Sequence, residues 1–311
     1  IDLLRETQPT DIAASTAEEA LAQLDRLEMA GAYREEVALA SAMLEAIEHG
    51  GIPAEPEQIV ALKIYRIDAL AHLERYEMAK VQCEELLSDT FPTRRQKLQA
   101  LLCFTICCYR LKRYTIAEMA LVKATEELVS AEHSTELHAT VTATRAVVQT
   151  ALGQLDAAIE TYKDAISLYL QVPQPFEVCR AQLNLAQTLI LLNQSEKALP
   201  YLRGALKNAE EAGYERLRSL ALSHMAVVHH AKKDLESAEA YALRSNAIAR
   251  SREYITFIFR NCFYLRSIAR TRGDEAAVAV NERTLRAYMN RVDQDLPELI
   301  EFKAELEGGA R

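Results

Sequence analysis

Residues 151–159 read Ala151-Leu152-Gly153-Gln154-Leu155-Asp156-Ala157-Ala158-Ile159, and versions of this stretch recur along the chain. Each begins with a residue suited to a left-handed turn, which is Gly at three of the seven sites, and a small residue usually follows five positions later. The turn residues are Gly31, Glu74, Lys112, Gly153, Asn193, Lys233 and Gly273. The small-residue sites, separated by 43, 38, 41, 40, 40 and 40 residues, are Glu36, Ala79, Ala117, Ala158, Ala198, Ala238 and Val278. This regularity predicts repeated units of about 40 residues.

Each unit has the pattern of an antiparallel helical hairpin. The turn residue ends one helix, and the small side chain allows the second helix to approach the first closely. Seven residues further on, helical periodicity returns to the same face, at Met43, Leu86, Ala124, Ala165, Ala205, Ser245 and Leu285. A single hairpin cannot bury both of its faces, so we expect neighbouring hairpins to stack.

This pattern resembles the tetratricopeptide repeat (TPR). The best match is 151–159 with Tyr162 and Ala165, and the second is Leu185, Ala186, Asn193, Ala198, Leu202 and Ala205. The resemblance spans about 16–290, although Trp is absent, the closing Pro is not in place, and the spacing exceeds the usual 34. Repeats of this length are similar to those of MalT-like bacterial regulators and of some eukaryotic adaptors.

The resemblance implies an all-α fold, a right-handed superhelical array of about seven hairpins. We expect one domain over 1–311, with a C-terminal helix at 292–307 that caps the array or leads into a further domain. The expected repeats are 16–51, 56–90, 94–131, 135–171, 176–212, 215–251 and 254–291.

Composition narrows the class of protein. Lys and Arg number 36 against 45 Asp and Glu, so the net charge of −9 argues against nucleic-acid binding by this segment. No apolar run is long enough for a membrane span and no signal peptide is recognisable, which favours a cytoplasmic protein without membrane contact. We expect reduced core thiols at Cys83, Cys103, Cys107, Cys108, Cys179 and Cys262. Because the chain begins with Ile1, we expect it to be part of a longer protein.

No catalytic pattern was found. Phosphate-binding loops, nucleophile elbows and metal-binding helices are missing, so we predict no enzyme activity, no cofactor and no metal site. His229 and His230, with His224 nearby, are the strongest local candidates for metal binding or acid–base chemistry. We favour the alternative that these imidazoles form no common site, with one pointing to the core and the others to the groove or the solvent.

The TPR resemblance implies a groove formed by the first helix of each hairpin. The groove would be acidic at its N-terminal end and basic at its C-terminal end. Its exposed positions would be Asp25, Glu28, Tyr65, Asp68, His72, Gln99, Tyr109, Arg110, Arg180, Asn184, Gln187, Ser223, His224, Val227, His230, Arg260, Tyr264, Ser267 and Arg270. Arg180 and Asn184, one helical turn apart, resemble part of the carboxylate-holding set of peptide-binding TPR domains, whose remaining members are not matched. We therefore expect Arg180, Arg260 and Arg270 to bind an acidic or carboxylate-bearing segment.

Three hypotheses for function remain open. The first is a non-enzymatic protein- or peptide-binding module, the sensory or regulatory region of a larger bacterial signalling or transcription-regulating protein. The second is a stand-alone adaptor or assembly scaffold. The third is the interaction domain of a multidomain enzyme such as a nucleotide cyclase. The oligomeric state does not follow from the sequence.

Overall fold

The computed structural model describes residues 14–91, 93–130, 134–294 and 296–308. In this part of the chain fifteen α-helices follow one another without a β-strand, which confirms the all-α prediction. The helices are α1 Ala17–Ala30, α2 Tyr33–Glu48, α3 Pro56–His72, α4 Tyr76–Ser88, α5 Arg94–Arg110, α6 Tyr114–Ser130, α7 Thr135–Ala151, α8 Leu155–Tyr169, α9 Pro175–Leu191, α10 Ser195–Ala212, α11 Glu215–Ala231, α12 Leu235–Ser251, α13 Ile255–Arg272, α14 Glu275–Tyr288 and α15 Pro297–Gly308.

Helices α1 to α14 pair into the seven predicted hairpins, and every hairpin turns at the expected residue. All seven turn residues have positive φ, from 58° at Asn193 to 74° at Gly153. At Glu74, Lys112 and Lys233 a side chain tolerates this left-handed geometry, which glycine adopts without strain. The short turn that follows places the second helix directly against the first.

Polar side chains mark where several helices begin. The Thr16 hydroxyl accepts a hydrogen bond from the Glu19 N–H at 3.2 Å, and Asp234 and Asp274 cap α12 and α14 in the same way. Pro56 occupies the first turn of α3, where no N–H is needed. These caps satisfy backbone donors that the helix itself leaves open.

The predicted small-residue sites lie where paired helices meet. Ala79, Ala117, Ala158, Ala198 and Ala238 are all fully buried, as are Glu36 and, nearly so, Val278. Between α11 and α12 the approach is close enough for side chains to bond the facing backbone, since the Ser245 hydroxyl donates to the Ser219 carbonyl at 2.8 Å. The register deduced from the repeat is therefore correct.

The chain divides into two compact units, 1–175 and 176–311. In unit 1 the first helices of neighbouring hairpins contact one another, α1 with α3, α3 with α5 and α5 with α7. In unit 2 the same contact joins α11 to α13. Side chains on the first helices therefore meet across hairpins as well as within them.

The last described helix, α15, packs against α13 in unit 2. Leu299 and Phe302 of α15 are fully buried, and the Phe302 ring lies edge-on to Phe259 at 6.2 Å between centroids. Helix α15 thus covers the side of α13 that a further hairpin would otherwise cover.

All six cysteines are free thiols, as predicted. Five are buried and Cys103 is half-buried. Burial raises the pKa of the Cys179 thiol to about 12 and that of Cys108 to about 11. Such thiols are poor nucleophiles and act as small apolar side chains.

Candidate functional site

The first helices of unit 1 bring polar side chains of successive hairpins into contact. The Tyr65 hydroxyl on α3 donates a hydrogen bond to the carboxylate of Asp25 on α1. Burial, reinforced by this hydrogen bond, raises the pKa of Tyr65. The Cys103 thiol on α5 donates to Asp68 on α3, with a sulfur–oxygen distance of 3.8 Å. We call this set the first-helix row and define it as Asp25, Tyr65, Asp68, His72 and Cys103.

His72 is held in the row from two sides. Its Nε2 lies 3.3 Å from the Asp68 carboxylate, one helical turn earlier. Its ring stacks on Tyr33 at 4.4 Å between centroids, with an interplanar angle of 21°. The imidazole therefore has a fixed orientation while it stays partly exposed.

Tyr109 and Arg110, also predicted for the groove, lie at the end of α5 and pack on hairpin turns. The Tyr109 ring is 5.6 Å from that of Tyr114. The Arg110 guanidinium lies 5.9 Å from the centre of the Tyr76 ring. Both side chains therefore lie against the aromatic residue that begins a second helix of unit 1.

Glu36 is the unusual residue of this region. It is 0% exposed, and neither carboxyl oxygen has a hydrogen-bond partner among the residues that the structure describes. Burial, together with the nearby carboxylates of Asp68, Glu28 and Asp25, raises its pKa to about 10. Glu36 is consequently protonated and neutral at pH 7.

In unit 2 the α9 candidates are half-buried. The Arg180 guanidinium pairs with Glu177 of the same helix at 2.5 Å. Asn184 and Gln187 follow on the same helix, partly exposed. The guanidinium that Arg180 would offer to a partner's carboxylate is therefore already paired within α9.

The three histidines of α11 have separate environments. His224 is buried, and neither ring nitrogen has a partner within the described chain. Its burial, assisted by Arg260, lowers its pKa to about 3. The His229 Nδ1 bonds Asp234 at 2.8 Å, and the His230 Nε2 bonds the Ser267 hydroxyl at 3.0 Å. The structure does not bring the three imidazoles together into one site.

The late basic residues of the predicted groove hold carboxylates of α15. The Arg260 Nε donates to Glu298 at 3.0 Å, and the Tyr264 hydroxyl donates to the same carboxylate at 3.4 Å. Arg270 donates to Glu305 at 2.6 Å. The acidic segment expected opposite these residues is thus present within the chain itself.

The expected exposure of three groove residues was wrong. Ser223, His224 and Arg260 are buried. Successive first helices are in contact, so side chains that point from α11 toward α13, or from α13 toward α15, are covered by the next helix. The other groove candidates are exposed or half-buried.

Sequence reasoning missed one basic residue and its partner. Arg266 is 1% exposed and donates to Glu305 at 2.6 Å, while its guanidinium lies 4.8 Å from the centre of the Phe302 ring. The sequence did contain a sign of this pair, because Arg266 lies within the apolar run of α13 and a buried cation needs a partner. The identity of that partner, 39 positions away, is not encoded in the repeat.

Metal binding and membrane crossing were also considered for the described part of the chain. No group of three or more His, Cys, Asp or Glu residues there is arranged to hold a metal ion. None of its helices has the length and apolarity needed to cross a lipid bilayer.

Comparison with known proteins identifies the repeat. The sequence profile of the tetratricopeptide repeat matches residues 143–171 and 180–211, the two stretches with the strongest pattern. No curated protein sequence is significantly similar to the chain. The repeat in these two stretches is therefore the tetratricopeptide repeat.

Solved structures with the same fold include two Rap proteins and a signal-transduction ATPase. A Rap protein complexed with Competence and Sporulation Factor has a TM-score of 0.62 and 15% identity, covering 94% of this chain and 86% of that one. A STAND-family protein with a tetratricopeptide repeat sensor, from Pyrococcus horikoshii, scores 0.60 at 16% identity, covering 94% and 47%. The Rap conjugation gene regulator of plasmid pLS20, in complex with the Phr* peptide, scores 0.59 at 14% identity, covering 91% and 80%.

Proposed function

We propose that this chain is a non-enzymatic, protein- or peptide-binding module that forms the sensory or regulatory region of a larger protein. The first-helix row carries the proposal. Its five side chains come from three successive hairpins, are exposed or half-buried, and connect across the helices. A peptide lying along the row can contact several hairpins at once, and Tyr and His supply the amphipathic surfaces that interfaces favour.

Proteins of similar fold support this proposal. Two of them, the Rap protein and the Rap conjugation gene regulator, are in complex with Competence and Sporulation Factor and with the Phr* peptide, respectively. A third uses its tetratricopeptide repeats as a sensor. Identities of 14 to 16% establish a common fold only, so the role is a proposal for this chain.

Unit 1 offers a more accessible surface for a partner than the late basic residues do. An acidic partner at Arg260 and Arg270 would have to displace Glu298 and Glu305 of α15. Arg180 is paired within its own helix. The proposed binding surface is therefore the first-helix row rather than the predicted late groove.

The test is selection of a displayed random heptapeptide library on the immobilised chain, followed by affinity measurement for the enriched peptides. The variant Tyr65→Phe/His72→Gln removes two polar contacts of the row. We expect it to weaken binding about tenfold, equivalent to roughly 1.4 kcal/mol of binding free energy.

The matched control is Tyr201→Phe/His138→Gln, which changes the same residue types on α10 and α7, outside the row. It should leave the affinity unchanged. If no peptide is enriched over a blank surface, the proposed function fails. If both double variants weaken binding equally, the row is not the binding surface.

A further inference from the structure

Four carboxyl groups from three helices converge beside the first-helix row. Asp25 and Glu28 belong to α1, Glu36 to α2 and Asp68 to α3. The charged groups that act on Glu36 are the carboxylates of the other three. We call this set the acidic cluster and define it as Asp25, Glu28, Glu36 and Asp68.

Glu36 stands where five other hairpins have a buried alanine. An alanine there would allow the same close approach of α1 and α2 without burying a polar group. The carboxyl is instead fully buried, with neither oxygen hydrogen-bonded within the described chain. Because an unsatisfied buried carboxyl is costly, its presence beside three more carboxylates points to a bound group that these residues serve.

The surroundings of the cluster suit a positively charged organic group. A carboxylate can accept about four hydrogen bonds, so Asp25, which receives one from Tyr65, can accept more donors. Tyr65 contacts the Asp25 carboxylate and His72 contacts that of Asp68, while the Tyr33 ring stacks on His72. Aromatic faces attract ammonium and guanidinium groups. Concentrated negative charge in a partly buried site also steers cations toward it.

We propose that the acidic cluster binds the side chain of a lysine or arginine in a peptide partner. This inference rests on the proposed function and specifies the chemistry of its ligand. The guanidinium of arginine suits the cluster best, because its planar fork can donate to two carboxylates at once. Asp25 and Glu28 would approach such a group from α1 and Asp68 from α3, and the buried Glu36 adds a fourth carboxyl from α2.

Binding is coupled to the protonation of Glu36. In the free protein Glu36 keeps its proton, surrounded by Asp25, Glu28 and Asp68 with Tyr65 and His72 nearby. A bound cation offsets the negative charge and favours the ionised carboxyl. The proton that Glu36 loses passes to the solvent, so binding is accompanied by proton release.

The first experiment repeats the peptide selection with a charge-neutralised cluster, Asp25→Asn/Asp68→Asn. The wild-type chain should enrich peptides that contain Arg or Lys, and this variant should lose that enrichment. The matched control Glu18→Gln/Glu57→Gln removes two exposed carboxylates from the same two helices, α1 and α3. It should enrich basic peptides as the wild type does.

The best enriched peptide is then synthesised with its arginine replaced by citrulline, or its lysine by norleucine. The proposal predicts an affinity at least about tenfold lower for the neutral peptide on the wild-type chain. It predicts little difference between the two peptides on the Asp25→Asn/Asp68→Asn variant. Spermidine, a free polyamine, should not compete with the peptide for the acidic cluster at equal concentrations. Effective competition would show that the cluster binds free polyamines and would overturn the proposal that its ligand is a peptide side chain.

The outcomes separate this inference from the proposed function. Enriched peptides without a basic preference, or a basic preference that survives in the cluster variant, would overturn the inference while the peptide-binding function stands. A preference lost equally in the control variant would show general charge attraction and would also overturn it. If no peptide is enriched, both the inference and the proposed function are overturned.

Calorimetry in two buffers of different ionisation enthalpy tests the role of Glu36. The wild-type chain should release protons on binding at pH 7.5, and Glu36→Gln, which cannot ionise, should not. Circular dichroism and thermal melting confirm that each variant is folded. Equal proton release by both proteins would overturn the coupling to Glu36.

Discussion

The contact between α13 and α15 can be tested by the substitution Glu298→Ala. The Arg260 and Glu298 side chains are only 10% and 8% exposed, and their charged atoms are 3.0 Å apart. The Tyr264 hydroxyl depends on the same carboxylate. Removing it leaves a buried guanidinium without its partner and a phenol without its acceptor.

The expected loss follows from this burial. Breaking a buried ion pair by removing one member costs about 3–5 kcal/mol, because the remaining charge stays desolvated. An exposed pair contributes only about 0–1 kcal/mol. Lys207 and Glu211 provide the comparison, since their side chains are 72% and 66% exposed and 3.8 Å apart. We expect Glu211→Ala to fall in the lower range.

The assay is urea denaturation of wild type, Glu298→Ala and Glu211→Ala, combined with amide hydrogen exchange of α13 and α15. Exchange is needed because α15 can open locally without global unfolding. The double variant Arg260→Met/Glu298→Leu should recover most of the loss, since apolar side chains of similar size replace the pair. If Glu298→Ala costs no more than Glu211→Ala, and exchange of α15 is unchanged, the described docking of α15 is refuted.

Three further predictions concern the hairpins and the buried histidine. Ala158→Leu should overpack the contact between α7 and α8 and cost about 1–3 kcal/mol in a chemical melt, and an unchanged melt would contradict the register. Gly153→Ala should cost about 1–2 kcal/mol in the same melt through backbone strain alone, because φ is +74° and no atom lies within 4 Å of the added carbon; a loss of zero would contradict the left-handed turn. Burial lowers the pKa of His224 to about 3. Below about pH 6.5 the imidazole is therefore protonated in the unfolded chain but stays neutral in the native chain. Native stability should therefore fall by up to about 1.4 kcal/mol per pH unit from pH 6.5 toward pH 3 on account of this residue. His224→Leu should flatten that slope in melts across this pH range, whereas a change at the exposed His138 should not, and equal slopes would refute the prediction.

The hairpins were predictable because their determinants are local. Gly153 and Ala158 are five residues apart, and the same relation recurs at intervals near 40 residues. A turn that requires positive φ and a close approach that requires a small side chain leave a direct mark on the sequence. This mark identified all seven turns, including Lys233, where the side chain is not glycine.

The interactions between hairpins were not predictable in the same way. Arg260 meets Glu298 across 38 positions, and α15 lacks the repeat pattern that would have placed it on α13. The expectation of an exposed Arg260 failed because it treated each first helix as uncovered on that side. The proximity of Glu36 to Asp68 likewise depends on how α2 packs against α3, although the burial of Glu36 follows from its position in the register.

The docking of α15 also affects how the gene for such a chain can gain or lose units over evolutionary time. Within each unit the internal hairpins share a turn and small-residue pattern, so duplication of one of them would place compatible surfaces next to each other. A hairpin inserted after α14 would instead separate Glu298 and Glu305 from Arg260 and Arg266 of α13. Length variation among descendants of this sequence should therefore fall before α13, with α13 to α15 inherited as one block.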